Sequence, residues 1–329
     1  MAEMSKKIRL KDNEKLSKIN PETKKMWERY KIDLTIRELS EKTIYGYQND
    51  LEQWFVFIFD KQNNKSITEI TDSDITEFIY FCKTEGNNSR RIKRRMSSIS
   101  AFYNFLMKKR IIKENPMAFI DRPKKDTDVL AQIFLTKEQV NDMKAALADN
   151  VEKTTSVSSK HKALQWQVYA LFSLSTMARV NAIHSVRWKM INFVDRIVEG
   201  VKEKEGYIVT LYFSQEVSEL LQKLKAFREE NGINDNGYVF VTRTNNGGYD
   251  ICSTGTLTDW CHSIGEMIDV PALHPHSFRK SGATLLKNAG LALESVSSLL
   301  NHSGTDVTRK FYIKEDTKKI AADKDKFEI

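Results

Sequence analysis

The chain has 329 residues, of which 40% are hydrophobic and 29% charged, and a formal net charge of +8. This balance is typical of a folded globular protein and excludes a disordered chain. No run of about 18 apolar residues is present, and the charged N-terminus lacks the apolar stretch of a secretory signal. We therefore expect a cytoplasmic protein that does not span a membrane, with a length sufficient for two domains.

The charge is unevenly distributed along the chain. Residues 1–125 contain 27 Lys and Arg against 18 Asp and Glu, whereas residues 126–329 contain 25 against 26. A basic surface on one part of a protein is typical of a polyanion binder. The distribution favours nucleic acid as a partner, the alternative being a merely solvated surface.

The three cysteines, Cys82, Cys252 and Cys261, do not form a CxxC pair. Their spacing fits no common zinc pattern. Free cysteines of this kind are usually small buried core residues. The sequence therefore predicts neither a metal site nor a cofactor.

The first 25 residues are rich in lysine and polar residues, which predicts a flexible basic extension. Three amphipathic helices follow. The first begins near Ser40, the second begins at the capping sequence Thr71–Asp74, and the third follows the turn Gly86–Asn88. Together they predict a small helical domain at residues 26–120.

The third of these helices carries a group of basic residues in its first turns. They are Arg90, Arg91, Lys93, Arg94 and Arg95. Like charges one turn apart slightly destabilise a helix, whereas contacts to DNA phosphates would offset the repulsion by releasing counterions. The five residues are therefore candidate DNA contacts, with a solvated face as the alternative.

A polar segment at 121–135 has no hydrophobic period and predicts a linker. The capping sequence Thr136–Gln139 then begins a helix. Runs of β-branched and aromatic residues predict strands at 207–213 and 238–241. Further helices are predicted at 161–178, 216–230, 254–268, 279–289 and 292–301. A second domain at 136–313 is therefore expected, mainly α with a small antiparallel sheet (α+β).

In this second domain, several polar residues stand in otherwise apolar surroundings. Arg179 follows a long hydrophobic run, where an unpaired guanidinium would be costly to bury. His276 and Arg279 lie three residues apart at a predicted helix start, so they share one face. His302 and Tyr312 come later in the chain. Taken singly, each has a structural explanation, such as a capping arginine, a core histidine or a packed tyrosine.

In order and spacing, these residues resemble the active-site series of the tyrosine recombinase (phage integrase) family. The segments that carry the resemblance are STMARVNAI, HSFRKSGATLL and LLNHSGTDVTRKFY. Two earlier segments, LSEKTIYGY and SSISAFYNFL, resemble the family's core-site DNA-binding domain. The resemblance implies that fold: a helical core-binding domain, a mixed catalytic domain, and a C-terminal tail at 314–329 that could pack on a neighbouring protomer.

The resemblance carries the family's catalytic roles onto six positions. They are Arg179, Lys204, His276, Arg279, His302 and Tyr312. It implies that Tyr312 attacks the scissile phosphodiester and forms a 3′-phosphotyrosyl bond, while the two arginines meet the charge on the non-bridging oxygens. The two histidines donate to the same phosphate, and His276 could also take the tyrosine proton. The new bond conserves the energy of the old one, so neither ATP nor metal is implied.

A lysine before the predicted strand would protonate the departing 5′ oxygen. Lys202 and Lys204 are both candidates, and side chains two apart in an extended arm can face the same way. Counting back from Phe213 along the family's strand and turn places the lysine at Lys204. A bulge in the turn could reverse that assignment.

Three positions depart from the family's pattern. Ala182 stands where an acidic residue usually follows the first arginine, which leaves the support of Arg179 open. Lys280 replaces a frequent histidine, and Asn301 replaces the usual glycine before the second histidine. None of the three is a reacting residue.

The resemblance implies a site-specific recombinase that acts as a homotetramer on double-stranded DNA with short inverted-repeat core sites, in integration, excision or resolution. One alternative is a type IB topoisomerase, which would use the same chemistry to relax DNA. Another is a non-catalytic DNA-binding regulator with the same fold. The complete set of reacting residues argues against the regulator, and the N-terminal half resembles recombinases, which argues against the topoisomerase.

Overall fold

The computed structural model describes residues 10–124, 133–203, 207–301 and 305–312. The chain divides into two compact units, with the boundary at residues 130 and 131. Most of the predicted linker at 121–135, and the whole tail predicted at 314–329, lie outside the described residues. Within the described ranges, none of the helices combines the length and apolarity needed to cross a membrane.

The described part of the first unit is helical. Its helices are α1 (Asn13–Lys18), α2 (Pro21–Ile36), α3 (Glu41–Lys61), α4 (Asp72–Thr84) and α5 (Ser89–Lys108), followed by a 3-10 turn at Pro116–Phe119. The three helices predicted from hydrophobic periodicity are confirmed as α3, α4 and α5. Ser40, Thr71 and Asn88 precede them, and each side chain accepts a hydrogen bond from a backbone N–H of the first turn.

Ordered structure begins earlier than the sequence pattern indicates, because α1 and the start of α2 lie inside the segment at 1–25 that is predicted to be flexible. Asp12 caps α1, and Asn20 caps α2 with Pro21 in the first turn. Ile19 and Met26 are both buried in the core of the unit. Scattered among lysines, these apolar residues form too short a pattern to be recognised as periodic.

Aromatic rings form the centre of the first unit. Tyr30 of α2, Trp54 of α3 and Phe102 of α5 are fully buried. The ring centroids of Tyr30 and Phe102 are 5.2 Å apart, and those of Trp54 and Tyr103 are 5.8 Å apart. Tilted and edge-on ring pairs at these distances add to the free energy gained from burial, so they hold α2, α3 and α5 together.

The second unit contains more helix than strand in its described part. The helices are α6 (Lys137–Lys153), α7 (Val157–Thr176), α8 (Val180–His184), α9 (Gln215–Glu230), α10 (Thr254–Met267), α11 (Pro275–Asn288), α12 (Leu293–Leu299) and α13 (Thr305–Tyr312). The strands are β1 (Ile191–Asn192), β2 (Ile197–Lys202), β3 (Ile208–Tyr212), β4 (Val241–Arg243) and β5 (Tyr249–Ile251). The predicted class, mainly α with a small antiparallel sheet, is confirmed.

The strands form two antiparallel sheets, β1-β2-β3 and β4-β5. The strand predicted at 207–213 is β3. The strand predicted at 238–241 is wrong in extent, because only Val241 belongs to β4 and Tyr238 makes a single bridge with Arg187. Val239 and Phe240 are nonetheless fully buried. Their apolar side chains belong to the core, where they have no continuous partner strand.

Helix α7 lies at the centre of the second unit and packs against α6, α9 and α11. Tyr169 and Phe172 of this helix are fully buried. Its ring contacts include Tyr169 with Phe278, at 6.1 Å, and Phe172 with Phe240, at 5.9 Å. A helix that is apolar on most of its circumference is expected to be buried in this way.

A buried arginine joins α9 to α7 and to the segment before β4. Arg228 donates from Nε to His161 Nε2 at 2.8 Å and from Nη1 to Asp235 Oδ2 at 2.8 Å. Its Nη2 donates to Gln165 Oε1 at 2.9 Å and to the Val239 carbonyl at 2.8 Å. Because Arg228 is 2% exposed, these bonds replace the water that its guanidinium loses.

We expect His161→Gln to make the protein less sensitive to acid. Burial, assisted by the charge of Arg228, lowers the pKa of His161 from 6.5 to about 4. Between these values the unfolded chain binds more protons at this residue than the folded chain. The free energy of unfolding should therefore fall as pH decreases, by about 1.4 kcal/mol per pH unit from this residue.

Urea unfolding curves measured from pH 7 to pH 4 test this expectation. Glutamine does not titrate and keeps an acceptor for Arg228. The slope of the unfolding free energy against pH should therefore be smaller in the variant, by the amount that corresponds to about one bound proton. His262→Gln, which changes an exposed histidine, should keep the wild-type slope. A wild-type slope in His161→Gln would contradict the expectation.

Candidate active site

The end of α7 and the start of α8 place Arg179. Met177 ends α7 in the left-handed conformation, with φ of 52°, and Arg179 precedes the first residue of α8. Helix α11 approaches this turn closely: a Cβ added to Gly282 would lie 2.4 Å from the Leu174 carbonyl oxygen. Only glycine permits that approach, so Gly282 allows α11 to lie against the end of α7.

Arg279 of α11 joins the ends of two other helices. Its Nη1 donates to the Met177 carbonyl at 2.5 Å, and its Nη2 donates to the Leu300 carbonyl at 2.6 Å. Met177 and Leu300 are the C-terminal caps of α7 and α12. Carbonyls at helix C-termini carry partial negative charge, which stabilises a guanidinium that is 1% exposed.

His276 lies one turn before Arg279, on the same helix. Partial burial of its ring is the largest cause that lowers the pKa of His276. The pKa is lowered further by the positive charges of Arg279, His274, Lys280 and Arg179. The charges of both arginines therefore act on the ring, which stays neutral at physiological pH. A neutral imidazole can accept a proton, as a general base requires.

His274, which the sequence analysis did not single out, caps α11. Its Nδ1 accepts a hydrogen bond from the Ser277 backbone N–H at 3.0 Å, and Pro275 occupies the first turn. Histidine is an unusual capping residue. In the sequence, only its position just before a helix could have indicated this role. The cap fixes where α11 begins and hence where the face with His276 and Arg279 lies.

Arg179 pairs with an acidic residue that lies outside α8. Arg179 Nη1 donates to Oε2 of Glu203, which follows β2. The Glu203 side chain is 4% exposed and the Arg179 side chain 32%. Ala182, where the family usually has an acid, is fully buried in the apolar core. The acidic partner of Arg179 is thus supplied by the hairpin of β2 and β3, at the residue that follows β2.

Asn301 lies just after α12 with φ of 52°. This left-handed conformation is the one that glycine adopts without strain and that asparagine tolerates better than most residues. The replacement of the family's glycine by Asn301 is therefore compatible with the turn.

Lys204 and His302 lie outside the described residues. Tyr312 is the last residue of α13, which packs against α11 and α12, but its side chain lies outside the described part. Lys202 is the exposed last residue of β2 and pairs with Ile208.

The basic residues of α5 do not form one uniform face. Arg90 is exposed and Lys93 half-buried, whereas Arg91 and Arg94 pair with Asp50 of α3 at 2.9 and 3.2 Å. The Asp50 side chain is fully buried, and a buried carboxylate needs such partners. Part of the basic group therefore also has a structural role.

Arg95 differs from the other four basic residues. It is 2% exposed, its Nη2 donates to Gln53 Oε1 at 3.0 Å, and its guanidinium lies 5.7 Å from the Phe78 ring centre. Burial lowers its pKa. In this conformation its side chain faces the helical core.

Comparisons with known proteins cover both units. Residues 133–319 match the phage integrase family, and residues 27–110 match the N-terminal SAM-like domain of phage integrases. Tyrosine recombinase XerC of Anoxybacillus flavithermus is 27% identical over 289 residues, covering 84% of this chain and 88% of that protein. Tyrosine recombinase XerD of Oceanobacillus iheyensis is 27% identical over 285 residues, with coverage of 84% and 88%.

Solved structures show the same fold. The Tn1549 transposon integrase in complex with transposon right end DNA has a TM-score of 0.65 at 18% identity, covering 92% of this chain and 98% of that one. A lambda integrase dimer bound to a COC′ core site has a TM-score of 0.64 at 16% identity, with coverage of 92% and 82%. With more than half of its length matching the family, the chain belongs to the phage integrase family and is a tyrosine-type site-specific recombinase.

Proposed function

We propose that the protein cleaves and rejoins duplex DNA at short inverted-repeat core sites through a 3′-phosphotyrosyl intermediate, as a homotetramer. The observation that carries the proposal is the convergence of Arg179, His276 and Arg279 at the end of α7, where the charges of both arginines act on the histidine ring. Helix α13, which ends in Tyr312, packs against α11, which carries His276 and Arg279. A phosphate bound there would meet two cations and a neutral base.

In the proposed reaction, the Tyr312 hydroxyl oxygen attacks the scissile phosphorus and the bond to the 5′ oxygen breaks. His276 takes the tyrosine proton, consistent with its lowered pKa. Lys204 gives a proton to the departing 5′ oxygen. Rejoining follows the same path in reverse, with a 5′ hydroxyl attacking the phosphotyrosyl bond.

Charge on the phosphate is met by Arg179 and Arg279, with His302 as a further donor. Guanidinium groups keep their charge and present several N–H donors in a rigid fork. Arg279 gives two of its N–H groups to backbone carbonyls, which hold the remaining part of the fork in one orientation. Fixed donors of this kind stabilise a transition state without reorganising.

The DNA substrate and the tetramer are supported by structural neighbours. A lambda integrase tetramer bound to a Holliday junction has a TM-score of 0.64 at 15% identity, and the Tn1549 integrase is bound to transposon end DNA. These assemblies belong to those proteins. For this chain they support duplex DNA and a homotetramer as the partners to test first.

The target site can be found by covalent capture. A pool of nicked duplexes with randomised inverted repeats is incubated with the protein, and DNA that stays attached after denaturation is sequenced. A defined repeat in the captured DNA supports the recombinase. Capture of arbitrary sequences would indicate a topoisomerase, and no capture would indicate a regulator.

We expect Tyr312→Phe to abolish the covalent adduct and to leave DNA affinity within about twofold of wild type, because only the attacking oxygen is removed. Denaturing electrophoresis reports the adduct and a gel shift reports affinity. Tyr238→Phe and Tyr249→Phe serve as matched controls and should retain the adduct. An adduct that persists in Tyr312→Phe would place the nucleophile elsewhere.

We expect Arg90→Gln combined with Lys93→Gln to reduce the slope of log affinity against log salt by about two units, because each phosphate contact contributes about 0.9. The control combines Lys223→Gln with Lys225→Gln, which removes the same charge from exposed positions of α9 and should change the slope less. Equal slopes in the two double variants would indicate that the basic residues of α5 form a solvated face and do not contact DNA.

We expect Lys204→Ala to cleave normal DNA slowly and to recover on DNA with sulfur at the 5′ bridging position, because a sulfur leaving group does not need a proton. Lys202→Ala should resemble wild type on both substrates. Single-turnover cleavage rates on the two substrates make the comparison. Recovery of Lys202→Ala instead would assign the general acid to Lys202.

A further inference from the structure

The carboxylate of Glu203 is buried beside the arginine that the proposed reaction uses. Its side chain is 4% exposed, and its Oε2 pairs with Arg179 Nη1. Within the described ranges, Glu203 Oε1 has no hydrogen-bond partner. Burying a carboxylate is costly unless a cation lies against it. Arg179 is the cation that compensates for the burial of Glu203.

The local helix cannot supply this carboxylate. Ala182, in α8, is fully buried among apolar side chains of the core. Glu203 instead reaches Arg179 from the end of β2, 24 residues along the chain. The hairpin and the arginine are therefore connected by a charge pair that the helix alone does not provide.

We propose that Glu203 is a positioning residue for recombination, holding the Arg179 guanidinium in the orientation that meets the scissile phosphate. This inference rests on the proposed role of Arg179. An arginine side chain has many rotamers, whereas electrostatic catalysis requires donors that are fixed before the substrate binds. A single carboxylate on Nη1 selects one orientation of the fork.

The contact with Glu203 leaves part of Arg179 exposed. The pair uses one side of the guanidinium, and 32% of the Arg179 side chain stays exposed. A phosphate can therefore contact the remaining donors while Glu203 stays in place. The opposite arrangement, in which the carboxylate occupies the phosphate position and must leave when DNA binds, predicts that removing Glu203 speeds cleavage.

Cleavage of the captured nicked site at saturating DNA tests the proposal. We expect Glu203→Gln to cleave between about 10- and 100-fold more slowly than wild type, as for a misplaced catalytic group, with DNA affinity unchanged within about twofold. Glu199→Gln, which neutralises an exposed carboxylate of the same hairpin, should match wild type. A rate in Glu203→Gln equal to or above wild type would overturn the proposal.

Two further comparisons separate positioning from a merely structural role. Glu203→Asp keeps the charge and should cleave faster than Glu203→Gln, whereas a steric role would favour the isosteric glutamine. In an Arg179→Ala background, Glu203→Gln should cause no additional loss, because the group that it positions is absent. The reversed order or an additive loss would each contradict the proposal.

Failure of the proposed function is recognised separately, as a wild-type protein that captures no DNA. The contact is then measured without activity, by reaction of Arg179 with phenylglyoxal followed by mass spectrometry. Glu203→Gln should release Arg179 and raise its reactivity severalfold, and Glu199→Gln should not. Unchanged reactivity in Glu203→Gln would overturn the inference whatever the enzyme does.

Discussion

The buried guanidinium of Arg279 is the interaction on which the site depends. It binds the carbonyls at the ends of α7 and α12 at once, so three helices meet at one charge. Helix ends present partial negative charge that buried cations can use in place of water. Gly282 permits the close approach that brings α11 against α7. Arg179 and the turn at Asn301 follow these two helix ends in sequence and are placed by the same contacts.

Positive charge gathered in this way has consequences for the neighbouring groups. Burial of the His276 ring and, after it, this positive charge lower the pKa of His276, which keeps the imidazole neutral and able to accept a proton. The positive charge also provides a partner for the buried carboxylate of Glu203. This cluster of cations is thus partly compensated by backbone dipoles and by one carboxylate. The first compensation is structural, and the second orients a single side chain.

The helical unit uses basic residues differently. Asp50 is buried and holds Arg91 and Arg94, while Arg95 turns into the core and stacks near Phe78. Basic residues that look equivalent in the sequence therefore have different roles. Some stabilise the fold through buried groups, and others are exposed to solvent. Polyanion binding then depends on those whose donors remain accessible, since only accessible charges can replace counterions.

Local signals in the sequence determined much of this protein: capped, periodic helices such as α3 to α5, the mainly α class, and the shared face of His276 and Arg279, which needs only helical spacing. Tertiary structure alone decided the rest. The pairing of Arg179 with Glu203 joins residues 24 positions apart, and the burial of Arg95 depends on which neighbours cover its turn of α5. The segment at 238–241 is apolar without being a full strand, because a strand needs a partner. Periodicity reports which side chains avoid water, whereas pairing depends on which elements meet in space.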